Sequence, residues 1–198
     1  MSRLLSDRAG KTDQVVVLPS SLDDGSKPPG LYRIGLLATC LSIFAFFTAL
    51  VLAYLAREHK PPYWDPIQLP KTLWLSTGII LLSSVTFEIA RRIFRKGNWR
   101  TASHWMLATA TLAAAFLASQ LTSWRQLYSS GAYLMQNPHS SFFYLFTGLH
   151  ALHLIGGLIA LFVVVLGKSR RRETVDVVAY YWHFLGVLWI ALFVVLER

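Results

Sequence analysis

The chain has 198 residues, of which 54% are hydrophobic and only 15% charged, and its mean hydropathy is +0.45. A soluble domain carries roughly a quarter charged residues, so an ordinary water-soluble domain is excluded. Nineteen Lys and Arg against ten Asp and Glu give a formal charge of +9, and the lone cysteine, Cys40, excludes an internal disulfide or a cysteine-built metal cluster from this chain alone.

Residues 1 to 30 are polar and include Asp23-Asp24-Gly25-Ser26 and Pro28-Pro29-Gly30. They lack a charged start followed at once by an apolar core, so they read as a cytoplasmic tail rather than a cleavable signal. Five apolar runs follow, at about 31 to 56, 73 to 95, 102 to 126, 141 to 166 and 177 to 196. Crossing roughly 30 Å of hydrocarbon takes about 20 such residues in a helix. The first run stops at Arg57, Glu58, His59, Lys60 and Pro61-Pro62. The second stops at Arg91, Arg92, Arg95 and Lys96, and the fourth at Lys168 and Arg170 to Arg172. Segments of about ten residues with alternating polarity, the mark of a membrane β-barrel, are not seen. Because hydrocarbon offers the backbone no hydrogen-bond partner, the runs are expected to be helices. The expected fold is all-α: a polytopic bundle of five transmembrane helices over 31 to 198, preceded by the tail. No long soluble insertion leaves room for a separate catalytic domain.

Basic residues near the helix ends predict the orientation. With a cytoplasmic amino terminus, that side holds Arg3, Arg8, Lys11, Lys27, Arg33, Arg91, Arg92, Arg95, Lys96, Arg100, Lys168 and Arg170 to Arg172. These are fourteen, against five on the other side, Arg57, Lys60, Lys71, Arg125 and Arg198. This asymmetry accounts for the basic pI without a nucleic-acid partner, and the same loops attract anionic headgroups. The carboxyl terminus is then periplasmic or extracellular.

Ionisable groups inside the bilayer are costly and mark candidate sites. Glu88 precedes Arg91 by three and Arg92 by four residues, a spacing that pairs them on one helix face. Its readings are a structural ion pair, a proton-handling group or a lipid-headgroup contact. His150 and His153 lie three apart in the fourth run, and His183 lies in the fifth at a depth similar to that of His153. Two imidazoles at equal depth on neighbouring helices can ligate a haem iron axially. The alternative is that they hydrogen-bond across helices. Zinc is weaker, because no carboxylate or thiol accompanies the histidines at a ligand spacing. Gln120, Thr77, Ser83, Ser84 and Thr86 offer interhelical hydrogen bonds. No nucleophilic triad, phosphate-binding glycine loop or paired-carboxylate site is present.

The stretch Thr147-Gly148-Leu149-His150-Ala151-Leu152-His153-Leu154-Ile155-Gly156-Gly157 resembles the Thr-Gly-x-His-x-x-His-x-x-x-Gly signature of subunit III of haem–copper oxidases. Tyr181-Trp182-His183-Phe184 resembles the family's Tyr-Trp-His-Phe segment, with Trp189 following. The resemblance extends over about residues 31 to 196, and five spans match the short bacterial form. It implies an accessory subunit of a respiratory terminal oxidase in the bacterial inner membrane, within a complex that reduces oxygen to water. It further implies that this chain is not itself catalytic and carries no redox centre, haem and copper lying in partner subunits. Direct contact with subunit I, association with subunit II and other subunits, and bound phospholipids are implied too. His150, His153, His183, Gln120, Glu88, Arg91 and Arg92 become structural or lipid-facing polar groups.

Three departures accompany the match. Many members have a glutamate after the serine where this chain reads Ser42-Ile43, a glutamate after the glutamine where Gln120 is followed by Leu121, and an aspartate where Gly186 stands. These departures remove the acidic groups of a family-type proton-uptake role and leave lipid binding and mechanical support. Alternatives are a di-histidine haem-binding membrane cytochrome using His153 and His183, a transporter, and a subunit III-like accessory chain of a quinol oxidase or nitric oxide reductase. Too few buried charges are present for the polar path of a transporter.

Overall fold

A computed structural model describes residues 31–58, 72–129, 138–167 and 171–197. The tail with Arg3, Arg8, Lys11 and Lys27, and the loop residues Lys168 and Arg170, therefore lie outside the described residues. The described residues form five helices and no strand. They are α1 (Leu31–Glu58), α2 (Thr72–Arg95), α3 (Trp99–Ser129), α4 (Pro138–Leu166) and α5 (Arg172–Leu196). All five are long and apolar enough to cross a membrane. At about 1.5 Å per residue even the shortest, α2 with 24 residues, outspans the hydrocarbon. The backbone runs past the apolar windows at several ends, most of all at the start of α5.

The turn between α2 and α3 is set by local chemistry. Gly97 has φ +88°, a left-handed conformation that costs glycine nothing. It lets the Gly97 N–H reach the Phe94 carbonyl at 2.9 Å and the Asn98 N–H reach that of Ile93 at 3.4 Å, which closes the end of α2. Asn98 then opens α3, its Oδ1 accepting the Thr101 N–H at 3.2 Å. A reversal this tight lays α3 back along α2.

Helices α2, α3, α4 and α5 close into a ring, each packed on the next and α5 returning to α2. Small buried residues line the α2–α3 seam, among them Ser76, Ala90, Ala102, Thr109, Ala110 and Ala113, so the two backbones approach closely. Hydroxyls bond along it: Thr72 to Gln126 at 3.1 Å, Ser76 to Ser119 at 2.6 Å and Thr86 to Thr109 at 2.9 Å. The interior is filled by Phe87, Met106, Phe116, Phe143, Trp182 and Trp189, all fully buried. Helix α1 meets α4 through aromatic rings: Phe47 stands edge-on to His153 at 5.7 Å, and Tyr54 to Phe142 at 5.5 Å. The outward side chains are apolar as well, including Leu37, Leu81, Leu107, Ile159 and Val187. Burial from water therefore does not hold the helices together in lipid, and close packing with interhelical hydrogen bonds does.

Candidate functional site

The charged residues of α2 and α5 converge at one end of the bundle. Arg91, with its side chain 11% exposed, donates from Nε to Asp176 Oδ1 at 2.7 Å and from Nη1 to Glu88 Oε2 at 3.0 Å. Its Nη2 donates to the Tyr180 hydroxyl at 3.0 Å. Arg95 spans both oxygens of Asp176 at 3.0 and 2.9 Å, and Arg92 donates to Glu88 Oε1 at 2.9 Å while staying largely exposed. His183 Nε2 stands 3.6 Å from Glu88 Oε2, an ion pair whenever the imidazole is protonated. With His183 neutral, two carboxylates face three guanidinium groups, so the cluster carries a surplus positive charge.

Beside the cluster, a groove of about 440 Å³ opens on the outer face of α2 and α5, lined by Ser84, Val85, Glu88, Ile89, Arg92 and His183. A second, of about 560 Å³, lies toward the opposite end, between Leu121, Trp124, Arg125, Tyr128 and Tyr144. Its Trp124 donates to Thr147 Oγ1 at 3.0 Å, which joins α3 to the Thr-Gly segment of α4.

The three spanning histidines do not converge. His150 is fully buried between Phe116, edge-on at 5.8 Å, and Trp189 at 5.1 Å. His153 faces α1 instead, and its Nδ1 lies 2.7 Å from the Leu149 carbonyl one turn back. His183 is turned to Glu88 on α2. The matched depths of His153 and His183 thus do not translate into a facing pair, because the rings leave their helices toward different neighbours. Among the described residues no three His, Cys, Asp or Glu side chains are grouped so that they could hold a metal ion. Gln120 is buried at the α3 surface that faces the ring interior.

The two indoles of α5 fasten it to α2. Trp182 Nε1 donates to Ser83 Oγ at 3.2 Å and Trp189 Nε1 to Thr77 Oγ1 at 3.0 Å. Each hydroxyl also donates to a carbonyl of its own helix, so no donor is left idle. A Cβ on Gly157 would stand 3.3 Å from Tyr181 and 3.5 Å from Trp182, and this glycine lets α4 lie close to α5. At Gly186 a Cβ would meet Ser84 Oγ at 3.1 Å. A larger side chain there would require the Ser84 hydroxyl to shift.

Sequence reasoning missed Asp176, the residue that ties Arg91 and Arg95 to α5. It sits just before the apolar window of the fifth run. The readable signal was its spacing of four from Tyr180 and seven from His183, which puts all three on one helix face.

The model of the family described as cytochrome c oxidase subunit III matches residues 29–197. A chain of Nocardia farcinica named "Probable cytochrome c oxidase subunit 3" is 31% identical over 176 residues, covering 83% of this chain and 86% of that one. The similarly named chain of Mycobacterium bovis is 30% identical over 178 residues, covering 85% and 88%. Cytochrome c oxidase subunit 3 of Thermostichus vulcanus is 29% identical over 187 residues, covering 89% and 91%. With the family model spanning all five helices, the chain belongs to the cytochrome c oxidase subunit III family, the accessory multi-pass membrane subunits of haem–copper oxidases.

Proposed function

We propose that this chain acts as a redox-inactive wall beside subunit I, holding the catalytic subunit's shape through turnover, while haem and copper reside in partner subunits. One observation carries this reading. The hydroxyls and charges of α2 are spent on fastening α3 and α5, the latter through the indoles of Trp182 and Trp189, and the three spanning histidines are dispersed among different neighbours, so no reacting group is assembled among the described residues. Stripping this subunit from the purified oxidase tests the proposal. Initial oxygen consumption is expected to persist, with activity decaying within fewer turnovers. Inactivation kinetics unchanged from those of the complete complex would overturn it.

We further propose that the amino terminus is cytoplasmic, on the fourteen-to-five distribution of basic residues. The ionic cluster then lies at the cytoplasmic face, and the groove beside it takes an anionic phospholipid. Arg92 at its mouth offers two parallel N–H donors to a phosphate, while Val85 and Ile89 line the path of an acyl chain. The role of Glu88 in this reading is to position Arg91 and Arg92, not to carry protons.

A further inference from the structure

Gln120 and His150 bear buried polar atoms that meet no partner among the described residues. Both carboxamide atoms of Gln120 and both ring nitrogens of His150 are enclosed and unbonded, in residues that are 2% and 0% exposed. Buried polar groups are almost always paired, with protein or with ordered water.

Helix register brings these two side chains to one level. Trp124 of α3 bonds to Thr147 of α4, and Phe116 of α3 meets His150 of α4. Gln120 stands one turn from both Phe116 and Trp124 on the same face of α3, and His150 stands one turn from Thr147. The carboxamide therefore lies between the two contacts, beside the imidazole. The nearby donors are already engaged. Trp189 is committed to Thr77, Thr147 donates to the Phe143 carbonyl at 2.7 Å, Ser119 to that of Phe116 at 2.8 Å and Ser123 to that of Ser119 at 3.0 Å.

A direct bond between Gln120 and His150 pairs one atom of each and leaves the other carboxamide atom and the other ring nitrogen unmatched. A water molecule supplies both donors and acceptors and typically makes about three hydrogen bonds in a protein interior. The geometry points to an enclosed hydration site between α3 and α4, in which Gln120 and His150 together hold at least one ordered water. The ligand class is small, neutral and able to donate and accept at once, and apolar closure by Phe116 and Trp189 keeps lipid chains out. The site is independent of the lipid groove, which lies on the outer face of α2 and α5.

A cryo-EM map of the complete oxidase at a resolution that shows ordered water tests this. The expected result is a solvent peak about 2.7–3.2 Å from polar atoms of both Gln120 and His150. Gln120→Met, which keeps the side chain's length and removes its polar atoms, is expected to abolish the peak in the assembled complex. The inference is overturned by a direct carboxamide–imidazole contact with no peak beside it, or by a peak that persists unchanged in Gln120→Met. The wild-type map decides the matter even where the variant does not assemble.

Discussion

Replacing Asp176 with Asn keeps the side chain's size and removes the charge that Arg91 and Arg95 share. Arg91 and Asp176 are 11% and 17% exposed and 2.7 Å apart. Opposite charges at roughly 4 Å attract by about 4 kcal/mol at an effective dielectric near 20, and desolvation cancels part of this. Arg91 keeps Glu88 in the variant, which softens the loss further. A hydrogen bond to a charged group contributes about 1.5–3 kcal/mol, so we expect Asp176→Asn to cost about 2 kcal/mol. That corresponds to a fall of roughly 4–8 °C in the unfolding midpoint for a chain of this size. The pair Glu88–Arg92 is the internal control, because Arg92 is 74% exposed and an exposed helix pair contributes only about 0.3–0.5 kcal/mol. Two double-mutant cycles in detergent or nanodiscs, Arg91→Gln with Asp176→Asn and Arg92→Gln with Glu88→Gln, separate the pairwise energies. A coupling several times larger in the first cycle is expected. Equal couplings, or one below about 0.5 kcal/mol for Arg91–Asp176, would refute the claim that this pair ties α5 to α2.

Two further outcomes follow from the packing and the groove. Gly157→Leu forces a side chain into Tyr181 and Trp182 and is expected to cost about 1–3 kcal/mol or more as overpacking, seen as lower recovery of the subunit in purified oxidase. Gly156→Leu, which faces open space, should leave recovery unchanged, and equal losses for the two would contradict the α4–α5 contact. Arg92→Ala is expected to lower the anionic phospholipid that co-purifies with the complex without changing its subunit composition; native mass spectrometry of the lipid-bound complex checks this, and an unchanged lipid content argues against the groove.

The five spans were legible because continuous apolar runs of this length have few other outcomes, and the charge-marked stops located their ends to within a few residues. The start of α5 was the largest discrepancy, Arg172 instead of residue 177. An apolar window finds the hydrocarbon-crossing part of a helix, whereas backbone hydrogen bonding continues through Glu173 and Asp176. The Glu88–Arg91–Arg92 set was readable from i, i+3 and i, i+4 spacing, since it lies on one helix. Its extension to Asp176 and Tyr180 depends on how α2 and α5 align across 85 residues, which spacing within one run does not encode. The histidines illustrate the same boundary. Depth along a helix follows from counting residues, but the direction in which a ring leaves it depends on the neighbours, which is why His153 turns to Phe47 and His183 to Glu88.

In the proposed role this chain assists an oxidase without carrying any of its redox chemistry. Counting haem and copper per catalytic subunit before and after this chain is stripped from the complex tests that most directly. Identical haem and copper content and an unchanged initial rate of oxygen reduction are expected; a haem or copper lost together with this chain would show that it holds a redox centre.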